Sequence, residues 1–288
     1  MSMSDSLYAD IPNSGKEQGL FGGLLMNDIY QKVLLLAKTE FPVIFEGETG
    51  SGKHCLARVL HDNSNRSAGP LHFFYCPGID ESTWKDAFRE NVSVCDDKIV
   101  IQFKAIEKAA GGTLVLYRFC ELAEDEQSRI LMLFLEGIRY VFRYANQMAP
   151  RLVLAMQPPA FQKMCKTAVW KNTMKSLLPV VVTVPPLRQY KQDIPLLIDF
   201  FLREIHQDSA RGAKLGISET ALRACCDYNW PGNIRQLKNA LIQGATLSGG
   251  NTIELIHLPF SISWKLPYLT HDLHLKKPDN RNNPQEMP

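Results

Sequence analysis

Residues 47–54 read Gly47-Glu48-Thr49-Gly50-Ser51-Gly52-Lys53-His54, a glycine-rich loop that ends in lysine where a helical pattern begins. Such a loop works because its glycines let successive backbone N–H groups converge on phosphate oxygens. It sits at a helix N-terminus whose partial positive charge favours an anion, and the lysine reaches the terminal phosphates. A lysine at a helix N-terminus opposes the helix dipole unless an anion offsets it, which points Lys53 at a bound phosphate. The apolar run over residues 41–45 stops at the loop, and Leu56 and Leu60 recur at i, i+4 within residues 53–61. The local order is strand, phosphate loop, helix.

Outward from the loop, short apolar runs at residues 71–75, 113–117, 151–156 and 180–184 alternate with helical stretches such as 125–136. That pattern predicts an α/β fold, a mostly parallel sheet with helices on both faces. Beyond Pro185-Pro186 the periodicity is purely helical: residues 194–205, residues 218–228 opening on a Ser218 cap, and residues 233–247 closing at Gly249-Gly250. The expected organisation is a flexible arm (1–19), an α/β nucleotide-binding core (20–187), a small all-helical lid (188–259) and a mostly disordered tail (260–288).

Composition narrows the function classes. The 288 residues carry 32 basic and 30 acidic side chains, a net charge of +2, so charge gives no strong nucleic-acid or membrane signature. Lys276-Lys277 reads as a solvated tail. Seven cysteines without framework spacing suit a reducing compartment, and Cys225-Cys226 reads as core packing. No stretch approaches the length of a membrane span and no leader is evident, so the expected location is cytoplasmic.

Hydrolysis needs more than a phosphate loop. A nearby strand ordinarily ends in an Asp that holds the Mg²⁺ shell, followed by a Glu that orients water. Here residues 113–117 end in Val115-Leu116-Tyr117, and Arg118 follows. Arg118 can pair with a terminal phosphate in place of a metal, yet its permanent proton prevents it from acting as a base. His54 stands where a hydroxyl usually meets the metal, and a neutral imidazole is a poor Mg²⁺ ligand. Mg²⁺ is therefore doubtful, and no residue is assigned as catalytic or metal-binding. Glu121, Asp125 and Asp193 read as solvated helix-capping carboxylates. His271 and His274 lack further ligands nearby and read as tail, and residues 204–206 read as an exposed helix end.

The run of residues 47–58 with His61, then Pro185-Pro186-Leu187-Arg188, Gln192-Asp193-Ile194-Pro195 and Trp230-Pro231-Gly232-Asn233-Ile234-Arg235-Gln236-Leu237-Lys238-Asn239, resembles the AAA+ domain of bacterial sigma-54-dependent transcriptional activators, the enhancer-binding proteins. The resemblance covers residues 20–259. It implies a sheet-and-helix ATPase core, a helical lid and a ring with nucleotide between subunits, and it matches Arg235 to the family's second sensor arginine. Trp230, Pro231 and Gly232 also suit a structural turn between lid helices.

Departures accompany the matches. The family's G-T-L-F-L-D-E strand corresponds to Gly112-Thr113-Leu114-Val115-Leu116 followed by Tyr117 and Arg118. The G-A-F-T-G-A loop corresponds to Ser93-Val94-Cys95-Asp96-Asp97-Lys98, without its sequence. The sensor strand ends Ala155-Met156-Gln157, leaving Gln157 as an amide donor. The trans-acting arginines fall near Trp170-Lys171 and Ser176, where Lys171 or Lys175 keeps a charge without the bidentate fork.

The expected function is a nucleotide-binding, non-hydrolysing AAA+ regulatory subunit holding ATP or ADP on Gly47, Glu48, Thr49, Gly50, Ser51, Gly52, Lys53, His54 and Arg235. It would act through a protein partner, a competent AAA+ activator or a second copy of itself, with no membrane contact. Direct sequence-specific DNA binding is not expected, since no helix-turn-helix pattern follows residue 259. Two alternatives stay open: a nucleotide-free scaffold, and a slow ATPase completed by partner residues.

Overall fold

A computed structural model of the chain describes residues 23–76, 91–95, 98–102, 108–124, 127, 131–132, 149–167, 170–171, 177–207 and 215–263. The arm at residues 1–19, the tail that holds His271, His274, Lys276 and Lys277, and Asp125, Lys175 and Ser176 lie outside the described residues.

The apolar runs zip into one parallel sheet whose three central runs, at residues 43–47, 113–117 and 151–156, are buried almost throughout. Its strands are β1 (Val43–Gly47), β2 (Leu71–Tyr75), β5 (Thr113–Tyr117), β6 (Arg151–Met156) and β7 (Val180–Val184), in the order β2-β5-β6-β1-β7. β1 starts two residues later than its apolar run, since Phe41 is exposed and the Pro42 carbonyl accepts a hydrogen bond from Val180 N. Alternation sorts the side chains: Val153 and Phe45 join one apolar cluster, while Ile44, Leu152, Leu154 and Met156 join another.

The first cluster is closed by α1 (Leu24–Ala37) and α2 (Lys53–Asp62). It continues without a break into the lid, through Ile194 and Leu197 of α4 (Ile194–Gln207), Ala221 and Ala224 of α5 (Glu219–Asp227), and Leu237 and Leu241 of α6 (Asn233–Leu247). The second is covered by Met164 of α3 (Pro158–Met164) together with Phe119 and Trp170. A single turn, α7 (Phe260–Ser263), ends the described chain.

Lid caps follow the sequence signals. Ser218 accepts from Ala221 N at 3.4 Å at the start of α5, and α6 stops at glycines with φ of 65° (Gly249) and 83° (Gly250). α4 runs two residues beyond its expected end. Glu204 is not at an exposed helix end: it is half-buried and bonds Lys238 Nζ at 3.0 Å. β3 (Asn91–Cys95) and β4 (Lys98–Gln102) pair antiparallel, with Cys95 opposite Lys98, at the position that the resemblance assigns to the G-A-F-T-G-A loop; Asp96 and Asp97 lie outside the described residues. Of the helical pattern at 125–136, residues 127, 131 and 132 are described, and they are helical.

Because the five main strands are parallel, the chain leaves β1, β5 and β6 at the same edge of the sheet, with β6 between the other two. That edge is where open α/β sheets place their ligands.

Candidate functional site

The loop after β1 bends through two left-handed glycines, Gly50 with φ 76° and Gly52 with φ 100°. Side-chain-bearing residues avoid that region, so the glycines are a conformational requirement here. Gly52 is the N-cap of α2, and Lys53 begins it. Lys53 is buried, and its Nζ donates to the Gly47 and Glu48 carbonyls at 2.7 Å each. Burial, with the charge of Arg235 behind it, pushes the Lys53 ammonium down to about 8. Ser51 Oγ is fully buried and makes no hydrogen bond among the described residues.

The lid closes directly onto this loop. Asn233, at the start of α6, is completely buried with φ 55°. Its Oδ1 accepts from Leu187 N at 2.8 Å, while its Nδ2 donates to the Thr49 carbonyl at 3.0 Å and to Glu48 Oε2 at 3.2 Å. Arg235 N donates to the Gly50 carbonyl at 3.3 Å. A β-carbon on Gly50 would lie 2.3 Å from the Gly232 carbonyl oxygen, so only glycine lets the two backbones meet. Arg188 grips Glu48 with both guanidinium nitrogens, at 2.8 and 2.6 Å, and that pairing holds the Glu48 carboxyl below its ordinary range. The helices α2 and α6 therefore begin at the same loop, bringing two positive dipole ends together with Lys53 and Arg235.

The side of the site beyond β5 is built differently. His54 stacks on Phe73 with ring centroids 4.0 Å apart and planes 16° off parallel, and it lies 6.0 Å from Tyr117. Tyr117 in turn stacks with Tyr75 at 6.2 Å. Burial, reinforced by Arg58 and Arg235, pushes the His54 imidazole down to about 4, so it is neutral. Arg118 has φ 55° and makes a two-point pair with Glu121, and its third nitrogen donates to Tyr75 Oη at 2.7 Å. Gln157 Nε2 lies 3.1 Å from Thr49 Oγ1 and 3.5 Å from Glu121 Oε1, tying the phosphate loop to that ion pair. Magnesium asks for hard oxygen ligands in an octahedron. At the two positions where such ligands would stand, this chain has stacked rings and a guanidinium, which do not fit it.

The expected ligand residues 47–54 and Arg235 are thus brought together. His54 is set apart from the others by its stack on Phe73. Glu121 is neither a free capping carboxylate nor a metal ligand, since Arg118 holds it. Asp193 is buried with its Oδ2 unpartnered among the described residues, and burial pushes its carboxyl up, so it is not a solvated cap. Trp170 is buried and Lys171 exposed. Asn233, Arg188 and Tyr75 were not singled out as site residues by sequence reasoning. The signal for Asn233 is its place directly after Pro231-Gly232, because Asn is the residue other than glycine that most readily takes a left-handed conformation.

Two family matches cover most of the chain: the Sigma-54 interaction domain over residues 23–168 and the AAA+ ATPase lid domain over residues 188–270. The transcriptional regulatory protein XylR of Pseudomonas putida is 32% identical over 219 residues, which span 75% of this chain and 38% of that protein. The transcriptional regulatory protein ZraR of Salmonella typhimurium is 29% identical over 262 residues, spanning 88% of this chain and 59% of that one. The chain therefore spans 38% to 59% of the length of these curated relatives. Among solved structures, NtrX from Brucella abortus in complex with ATP shares the fold with a TM-score of 0.71 at 22% identity, over 90% of this chain and 59% of that one. The same protein in complex with ADP gives 0.67 at 23%, over 89% and 56%. With its interaction domain and its lid both matched in order, the chain belongs to the sigma-54 interaction domain family, the AAA+ proteins toward which its glycine loop and Trp230-Pro231-Gly232-Asn233 turn already pointed.

Proposed function

We propose that this chain binds a nucleotide without hydrolysing it and acts on transcription, or a related assembly, through a protein partner. The observation that carries the proposal is the seat of α6 on the phosphate loop. Two helix N-termini, Lys53 and Arg235 converge there, while the loop's own carboxylate, Glu48, is held by Arg188. Burial first, and the nearby Arg235 guanidinium second, hold Lys53 down; an anion beside the ammonium relieves that cost. Lys53, the loop amides of residues 47–53 and Arg235 would hold the phosphates of ATP or ADP. NtrX, which shares the fold, has been crystallised with each.

Hydrolysis is set aside because Tyr117 and Arg118 supply neither a carboxylate for metal nor a base for water. The nucleotide would instead govern how the lid sits on the core, since the contacts of Asn233 and Arg235 run between the two. The partner fitting this reading is a competent AAA+ activator or a second copy of the chain, docking on the surface that the closed lid completes. The test is equilibrium binding of ATP and ADP to the purified chain, coupled to a phosphate-release assay. Binding without release above a buffer control is expected. Turnover of about 1 per second or more, the ordinary range for enzymes, overturns the non-hydrolysing reading. No binding of either nucleotide leaves the nucleotide-free scaffold.

A further inference from the structure

Resting on the nucleotide-binding reading above, we infer that the site takes its nucleotide free of divalent metal, with the diphosphate preferred because Glu121 occupies the arginine that a third phosphate would need. The rings set the first constraint. His54 follows the loop lysine directly, and its ring lies flat on Phe73 at 4.0 Å, with Tyr117 and Tyr75 continuing the aromatic wall at 6.0 and 6.2 Å. A hydrated magnesium ion gives up water only to hard, charged oxygens. Beside aromatic carbon and a neutral imidazole it would find the nucleotide's own phosphates but no charged side-chain oxygen to hold it to the protein.

The second element is charge. With metal, a nucleotide arrives largely neutralised; without it, every phosphate charge falls to the protein. Lys53 and Arg235 serve the loop, but Arg118 is already spent. Its fork is closed on both oxygens of Glu121, and its remaining bond goes to Tyr75 Oη at 2.7 Å. Gln157 spans from Thr49 Oγ1 to Glu121 Oε1, at 3.1 and 3.5 Å, so the Glu121 carboxylate borders the phosphate loop by a single amide. A third phosphate extending past Lys53 toward β5 meets that carboxylate, not a free cation, and like charges at such range repel. A diphosphate stops short of it.

The test is calorimetric titration of the full chain with ADP and with ATP, each in EDTA and in excess Mg²⁺. Both nucleotides are expected to bind in EDTA, ADP several-fold tighter than ATP. Excess Mg²⁺ should weaken ATP, because it withdraws the free form from solution. Glu121→Gln keeps the shape and frees Arg118, so ATP in EDTA should gain about tenfold relative to ADP, as expected for one charge-assisted pair. A loss of about tenfold or more on chelating the metal overturns metal-free binding. It leaves the nucleotide reading intact. Equal effects of Glu121→Gln on ADP and ATP overturn the role given to Glu121, and wild-type protein with ATP tighter than ADP in EDTA does so without any variant. Binding of neither nucleotide in either buffer removes the nucleotide reading and this inference together.

Discussion

The two halves of the crevice at the strand ends are built in opposite ways. Beside β1 the loop keeps left-handed glycines, a buried lysine and a lid helix pressed on it by Asn233. Beside β5 the same edge carries a ring stack and an arginine closed on its neighbour Glu121. The halves sit on different strands, joined across β6 by the side chain of Gln157. The loop-and-lid contacts and the ring-and-ion-pair contacts therefore draw on different strands, so a change in one set need not disturb the backbone of the other.

The largest effect should come from cutting the joint on the retained half. Asn233→Ala removes three hydrogen bonds, orphans the buried Leu187 N–H and keeps a β-carbon at φ 55°. It should cost about 3 kcal/mol in denaturant unfolding. Asn233→Gly, which relieves the left-handed strain, should cost about 1 kcal/mol less. A loss below about 0.5 kcal/mol for the alanine variant would mean that the joint contributes little.

Next is Lys53→Ala. Nucleotide at about 100 times its Kd should stabilise the wild-type chain by about 2.7 kcal/mol. The variant should lose nearly all of that in thermal unfolding with ADP, while folding normally. An unchanged increment would move phosphate recognition off this half.

A smaller effect is set by pH. The free protein sheds the Lys53 proton above about 8, whereas a bound phosphate holds it, so binding takes up a proton in that range. ADP affinity should be level below pH 8 and fall above it, by up to about tenfold per pH unit. A flat profile to pH 9.5 would remove the ammonium from the interaction.

The smallest effect belongs to the other half. The Arg118 and Glu121 side chains are 37% and 26% exposed, so Arg118→Ala should change stability by less than about 1 kcal/mol and leave ADP affinity alone. Loss of ADP binding in this variant would collapse the distinction between the halves.

The sheet was legible because strands buried on both faces are apolar along their middles, as residues 114–116 and 152–156 are. The loop was legible because its glycines and lysine are adjacent in sequence. The clasp was not. Asn233 and Glu48 are 185 residues apart and only tertiary packing brings them together; locally Asn233 reads as the end of a turn. The pair of β3 and β4 carries its own signal, Val92 and Val94 alternating with polar neighbours, yet a short isolated pair of strands is easily read as loop. Arg118 and Glu121 stand three residues apart in a 3-10 turn, close enough to pair, but the left-handed backbone at Arg118 that aims the fork has no marker in the sequence.

The meeting of Gly50 with Gly232 also bears on how the molecule comes apart. That contact is flanked by one continuous apolar cluster holding Phe45 of the sheet and Leu56 of α2 with Trp230 and Leu237 of the lid. Trimming the chain after β7 would strip that cluster of more than half its lining and leave the Thr49 and Gly50 carbonyls without their donors. The α/β portion is therefore a poor candidate for separate expression. Heat or denaturant should dismantle sheet and lid in a single cooperative step, visible as coincident melting curves from any two spectroscopic reporters.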